Sequence, residues 1–194
     1  MKKLILLVLI VKTALSTEFE KQFLDSINFI DNNNKLSDYK DFAKKNKVIL
    51  DYRNTDSYKF YELVFSEPRV GYIDTSLLRS KNNTILGISI TIKSNPNDSA
   101  IFGIFNKLRK DLLRNGYKLS KNRSKTSYDS VNNYGDQTCY YSGMEIKDID
   151  MKKGNMSVSL WARKGGQFEK CYKYNNLVSN EIHDATLEIS YYSE

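Results

Sequence analysis

The chain has 194 residues, which suits one well-buried core and is too short for two large domains. Its 40% hydrophobic and 27% charged residues, with only two prolines, exclude a multi-span membrane protein, a collagen-like chain and a wholly disordered tail. The formal net charge is +7, and the single histidine, His183, argues against most zinc sites and most Ser–His or Cys–His catalytic arrangements.

The first sixteen residues have the three parts of a secretory signal peptide. Lys2 and Lys3 form a positive start, residues 4–11 are an unbroken apolar run, and residues 14–16 (Ala-Leu-Ser) offer small side chains to a signal peptidase. A membrane-spanning helix needs roughly 20 apolar residues, so we predict cleavage and a secreted or periplasmic location. Cleavage would lower the formal charge to +4. An N-terminal strand or buried helix start is the alternative.

Two short helices are predicted at the start of the mature chain. The first carries an apolar stripe at spacings of three and four, formed by Phe19, Phe23, Ile27 and Ile30. The Asn run at 32–34 ends this helix, because Asn tolerates turn conformations. A second helix is predicted to begin at Ser37 and to end in a group of lysines, which suit the negative end of the helix dipole.

From residue 48 the pattern changes to short runs rich in β-branched and aromatic residues. The predicted strands are 48–52, 58–65, 71–78, 85–92, 138–146, 156–163, 167–174 and 185–192. In 85–92, Leu and Ile alternate with Gly, Ser and Thr, so one face of this strand is small and polar and is expected to meet solvent or a partner. An amphipathic helix over 101–112 separates the two groups of strands.

These elements predict an α+β protein with a largely antiparallel sheet, an N-terminal helical pair and one central amphipathic helix. We treat 17–194 as a single domain. Its halves, 17–96 and 97–194, both have the order helix then strands, so a tandem helix-plus-strands pseudo-repeat is a further hypothesis about topology, although the residues themselves are not visibly repeated.

The two cysteines, Cys139 and Cys171, are predicted to form one intramolecular disulfide, because export places them in an oxidising compartment. Two free buried thiols or an intermolecular bridge are the alternatives. Neither cysteine belongs to a C-x-x-C motif, so a redox enzyme is not predicted.

The sequence motifs of common enzymes are absent. There is no G-x-S-x-G elbow, H-E-x-x-H motif, P-loop or dinucleotide-binding fingerprint, so we assign no catalytic residue, metal ligand or cofactor. His183 lies in a polar stretch with Glu181 and Asp184, either of which could orient it as a general base, although we favour the interpretation as an ordinary loop histidine. Hydrolysis by two carboxylates also stays open, since sequence spacing does not reveal their separation.

Two surface patches are candidates for binding. Residues 117–137 mix basic side chains with Tyr, Ser and Asn, as adaptable protein-binding surfaces do, and we single out Arg123, Tyr128 and Tyr134. An ordinary surface loop or a pair of poorly patterned strands is the alternative for this stretch. The second patch is Trp161 with Arg163, beside a predicted hairpin turn, since Trp and Arg are favoured interface anchors. Trp161 could instead seal the sheet beneath a helix.

Export without enzyme motifs favours a non-enzymatic binding protein whose partner is another protein. The leading hypothesis is an inhibitor or immunity-type protein, in which a tyrosine- and arginine-bearing tip, held rigid by the disulfide, occludes a secreted or cell-wall-active enzyme. The alternatives are an exported carboxylate-dependent hydrolase and an envelope or surface protein that binds glycans or host molecules. The small net charge and export argue against nucleic acid. No stable membrane anchor is expected after cleavage, and nothing indicates an oligomeric state.

Overall fold

The computed structural model describes residues 18–46, 49–54, 58–96, 98–164, 168–182 and 184–193. The three helices of this part of the chain are α1 (Glu18–Asn32), α2 (Leu36–Lys45) and α3 (Ala100–Arg114). The strands are β1 (Ile49–Asn54), β2 (Lys59–Val64), β3 (Tyr72–Lys81), β4 (Thr84–Ser94), β5 (Lys118–Asn122), β6 (Lys125–Tyr134), β7 (Gln137–Lys153), β8 (Met156–Lys164), β9 (Phe168–Lys173), β10 (Asn176–Ile182) and β11 (Ala185–Ser193). The predicted signal peptide, the turn at 165–167 and His183 lie outside the described residues.

The structure confirms the α+β prediction, with two N-terminal helices, one central helix and a sheet whose described pairings are all antiparallel. All eight predicted strands are present. Strand β7 is longer than predicted, and β5, β6 and β10 were not predicted as strands with these bounds. Every residue of β5 is exposed, so no buried face imposes the apolar alternation by which strands are found in a sequence.

The two halves of the chain share one sheet. Its order is β1-β2-β3-β4-β11-β8-β7-β9-β10, with β5 and β6 on the other edge of β7. The last strands of the two halves, β4 and β11, pair at the centre. Each half contributes a helical segment followed by four strands of this sheet. These strands are β1 to β4 in the first half, and β5, β7, β8 and β11 in the second.

Strand β7 belongs to two regions. Residues 145–153 pair with β8, and residues 149–152 also pair with β5. Its first residues instead pair with β6 on one side and β9 on the other, and β9 pairs with β10. We call the four-stranded extension β6-β7-β9-β10, with residues 137–144 of β7, the arm, and the remainder the body. The arm is built from two insertions into the second half, one between β5 and β8 and one between β8 and β11.

The hydrophobic core fills the space between the helices and one face of the body sheet. Helix α3 packs on β8 and β11, and α2 packs on β1. Alternate residues of the central strands are fully buried on this face, among them Ile90, Ile92, Leu160, Ala162, Leu187 and Ile189. Among the described residues no helix covers the opposite face, which we call the open face. None of the described helices is both long and apolar enough to cross a membrane.

One buried carboxylate joins α1 to the sheet. Asp31, in the last turn of α1, accepts hydrogen bonds from the hydroxyls of Tyr117 (3.0 Å) and Tyr191 (2.8 Å) and pairs with the Lys153 ammonium at 3.3 Å. Its side chain is only 7% exposed. A carboxylate is unfavourable at the negative end of a helix, so these three contacts account for its position. Burial, followed by the charge and hydrogen bonding of Asp31, raises the pKa of both tyrosines.

Candidate binding surface

A disulfide crosses the centre of the arm. Cys139 of β7 and Cys171 of β9 are direct register partners, and their sulfurs are bonded, which confirms the predicted pairing. Both side chains are buried, with 2% exposure. The bond closes a loop with a sequence separation of 32 residues, which in the chain-entropy model stabilises the folded state by about 3–4 kcal/mol. The bond therefore holds two arm strands in register.

The face of the arm opposite the two sulfurs carries tyrosines. Residues next to the cysteines point to the other side of the sheet, and here Thr138 pairs with Tyr172 and Tyr140 pairs with Lys170. The rings of Tyr140 and Tyr172 meet edge to face, with centroids 5.8 Å apart. They line an open cavity of about 530 Å³, whose other lining residues are Asp136, Thr138, Lys170, Tyr174 and Asn175. We call this surface the tyrosine face.

Tyr174 occupies an unusual backbone position beside this cavity. It forms the β9–β10 turn with Asn175, and both residues have positive φ, 49° and 66°. Bulky residues seldom adopt this left-handed conformation, which favours Gly and Asn. The Tyr174 side chain is also 77% exposed. A tyrosine that is strained and exposed contributes little to folding, and such positions cluster at functional sites.

Tyr134 and Tyr128 of the first predicted patch both belong to the arm. Tyr134 ends β6 at the β6–β7 turn and is 57% exposed. Tyr128 lies in the middle of β6 opposite Met144, and its side chain is outside the described part of the structure. Val131, on the same strand, is 56% exposed. Of the alternatives for residues 117–137, which were a binding surface, an ordinary surface loop and a pair of poorly patterned strands, the structure has strands β5 and β6 and the turn after β6.

Arg123 lies far from Tyr134, at the connection between β5 and β6. Its guanidinium donates four hydrogen bonds of 2.7–3.2 Å to the carboxylates of Asp148 and Asp150 on β7. The Arg123 hydrogen bond lowers the pKa of Asp150. The two carboxylates raise the pKa of Arg123. Arg123 thus anchors the start of β6 to β7, and its role in recognition stays a prediction.

Trp161 and Arg163 lie on the open face of β8 and are half-buried. Trp161 is the register partner of Asp148 on one side and Glu188 on the other, and the Arg163 guanidinium lies 5.6 Å from the centre of its ring. The described helices all pack on the other face of the sheet. Because Asp148 also binds Arg123, the structure groups Arg123 with Trp161 and Arg163. Tyr134 is separated from them by a stretch of β7 that spans roughly 35 Å at about 3.3 Å per residue.

Tyr140, Tyr172 and Tyr174 were not predicted as site residues, although the sequence carries a signal for two of them. Each cysteine is followed by a tyrosine, Cys139-Tyr140 and Cys171-Tyr172. If the cysteines are antiparallel register partners, the two tyrosines must lie diagonally opposite each other on the reverse face. Tyr174 had no such signal, because its position depends on the turn conformation.

The described residues contain no group of three or more His, Cys, Asp or Glu side chains that could hold a metal ion. Asp148 and Asp150, two carboxylates on β7, are both bound by Arg123. A general acid needs a raised pKa, whereas that of Asp150 is lowered.

Comparisons with known proteins find no matching family model, no similar curated protein and no similar solved structure.

Proposed function

We propose that this protein is an exported binding protein that recognises another protein through the tyrosine face of its arm. The observation that carries the proposal is the combination of the buried Cys139–Cys171 bond with exposed Tyr140 and Tyr174 and half-buried Tyr172 on the reverse side of the same two strands. Tyrosine buries a large contact area while fixing only two side-chain torsions, which makes it an efficient anchor at protein interfaces.

The rigidity of the arm supports recognition without large ordering costs. The disulfide fixes the register of β7 and β9, and the Arg123 hydrogen bonds fix the start of β6 on β7. A surface whose backbone is already ordered loses less conformational entropy on association than a mobile loop does. Exposed apolar side chains near the tyrosine face, Val131 and Leu177, add area that a partner could cover.

We further propose that binding blocks the partner, which on this hypothesis is a secreted or cell-wall-active enzyme. The β6–β7 turn, Gly135-Asp136, and the β9–β10 turn, Tyr174-Asn175, lie at the same end of the arm, because Gln137 pairs with Lys173. On this proposal, that end of the arm enters the concave active site of the enzyme. A disulfide is compatible with the oxidising compartment in which such an enzyme works.

A glycan-binding role has one observation in its favour. The cavity of the tyrosine face places the Asp136 carboxylate and the Asn175 amide beside aromatic rings. Apolar walls combined with a few polar groups are common in small-molecule sites. The 530 Å³ cavity is wide open, however, and most of the exposed apolar residues of the arm lie outside its lining. These features favour an extended protein surface as the ligand.

The test is capture of a partner by the immobilised full chain from culture supernatant or periplasmic extract, followed by calorimetry with the purified partner. We expect Tyr140→Ala and Tyr174→Ala each to weaken binding by about 30-fold or more, as interface hot spots do. Tyr72→Ala is the matched control, because Tyr72 is 51% exposed but lies on β3 in the body. The proposal is wrong if the arm variants bind as tightly as Tyr72→Ala.

Two further readouts separate the parts of the proposal. If the partner is an enzyme, its turnover should fall in proportion to complex formed, and unchanged turnover would refute occlusion while leaving recognition intact. Saturable binding to a glycan panel, lost in Tyr140→Ala in the absence of any protein partner, would replace the protein-binding proposal with the glycan-binding one.

A further inference from the structure

The open face of the body contains a groove that the arm proposal does not use. It has a volume of about 400 Å³ and runs over β2, β3, β4 and β11. Its walls are the side chains of Phe60, Leu77 and Tyr192, which are half-buried rather than covered. This volume is within the usual range for pockets that hold small molecules.

The backbone of β11 explains why the floor of the groove is empty. Gly87 of β4 pairs with Tyr192, and a Cβ atom on Gly87 would come within 2.5 Å of the Tyr191 carbonyl oxygen. The close approach of β11 therefore requires glycine here. The neighbouring floor positions, Ser89 and Ser190, carry only short side chains, so the larger residues of β2, β3 and β11 stand above the floor as walls.

One end of the groove is positively charged. The guanidinium of Arg79 lines the groove and lies 5.6 Å from the centre of the Tyr58 ring, and the Lys81 ammonium lies at the same distance from that ring. Within the described part of the chain, neither cation forms an ion pair with a carboxylate. Glu62, the register partner of Leu77, does not line the groove. A ligand in the groove would meet apolar walls and one lining cation, Arg79, with Lys81 nearby but outside the lining.

We infer that this groove binds a small amphipathic anion, a molecule with an apolar chain or ring and one carboxylate or sulfonate group. The apolar part would lie between Phe60, Leu77 and Tyr192 above the serine floor. The anionic group would lie at the Arg79 end, where a guanidinium can donate two parallel hydrogen bonds to a carboxylate. The site is independent of the tyrosine face, so the failure of either proposal leaves the other standing.

Decanoate is the probe, measured by titration calorimetry against the full chain, and decyltrimethylammonium is the same chain with the opposite charge. We expect saturable binding of one decanoate and at least about tenfold weaker binding of the cation. Amide chemical shifts should change at Ser89 and Ser190 and stay constant in the arm. Equal binding of the two probes, or shifts confined to the arm, would overturn the inference.

Arg79→Gln removes the charge while keeping a long polar side chain, and should weaken decanoate binding by about tenfold. Arg109→Gln is the matched control, since Arg109 is exposed on α3 on the other side of the sheet. A second variant, Leu77→Glu, introduces a negative charge into the wall and should abolish binding. Decanoate affinity that is the same in both groove variants and in Arg109→Gln would refute the site.

Discussion

The body and the arm are stabilised in different ways. In the body, three helices cover one face of the sheet, and the buried Asp31 cluster joins helix α1 to strands β7 and β11. In the arm, a single disulfide joins two strands, and the side chains of Val131, Tyr134, Tyr140, Tyr174 and Val178 are exposed. A region that buries little apolar area has little hydrophobic stabilisation. The arm therefore depends on covalent and local backbone constraints, which leaves its side chains available for recognition.

Replacing both cysteines should separate the two regions most clearly. In Cys139→Ser/Cys171→Ser we expect the arm to lose about 3–4 kcal/mol, because the unfolded loop is no longer constrained. Hydrogen exchange should become faster in β6, β9 and β10, with exchange in β4, β8 and β11 unchanged.

The same measurement on the wild-type chain in reductant is the control for the substitutions themselves. Uniformly faster exchange across body and arm would contradict the comparison, because it would mean that the two regions unfold as one unit.

Removing the buried Asp31 carboxylate should destabilise the body and leave the arm unchanged. We expect Asp31→Ala to lower the free energy of unfolding of the body by about 2–3 kcal/mol, because Lys153 and the hydroxyls of Tyr117 and Tyr191 all lose their contact with the carboxylate. Thermal unfolding measured by far-UV circular dichroism gives the size of the loss. Asp41→Ala, at an exposed position on α2, is the control and should change stability by less than about 0.5 kcal/mol. Arm exchange rates that change as much as body rates would be the contradicting result.

Alkaline pH should also destabilise the body before it destabilises the arm. Burial raises the pKa of Tyr39 to about 12, and the pKa values of Tyr117 and Tyr191 are raised as well. In the unfolded chain these hydroxyls ionise near pH 10, so the stability they confer is complete below pH 10 and falls as the pH rises towards 12. For Tyr39 alone the loss at pH 11 is about 1 kcal/mol.

Urea unfolding at pH 7 and pH 11, followed by far-UV circular dichroism at both pH values, measures this loss. Tyr39→Phe should reduce the difference between the two pH values by the Tyr39 contribution. A difference as large in Tyr39→Phe as in the wild type would show that this hydroxyl ionises in the folded protein.

The sequence predicted the body better than the arm for a physical reason. Helix α1 and strands β4, β8 and β11 have one face in the core, and burial imposes the periodicity by which they were found. In the arm, the described side chains of β10, residues 176–178, are exposed, and the same is true of β5 at the edge of the body, so their sequences carry no such pattern. The disulfide was predicted from the cysteine count and the predicted export alone. Predicting the tyrosine face would have required knowing the register of β7 and β9. Placing Trp161 on the open face would have required knowing which face of the sheet the helices cover.

The smallest predicted change in stability concerns two turns with the same backbone conformation, one in the body and one in the arm. The β3–β4 turn of the body has Asn82 and Asn83 at φ of 49° and 63°, and the β9–β10 turn of the arm has Tyr174 and Asn175 at 49° and 66°. Asn suits this conformation and Tyr does not. We expect Tyr174→Asn to stabilise the arm by about 0.5–1 kcal/mol, measured by hydrogen exchange in β9 and β10.

The reverse substitution in the body, Asn82→Tyr, should destabilise the β3–β4 hairpin by a similar amount, because it places a bulky residue at the same φ. If Tyr174 is retained for recognition, Tyr174→Asn should combine higher stability with weaker partner binding. Higher stability with unchanged binding would show that the strained tyrosine has no part in the interface, and would confine recognition to Tyr140 and Tyr172. Measuring both stability and partner binding of Tyr174→Asn therefore decides whether the tyrosine that destabilises this turn also contributes to the binding surface.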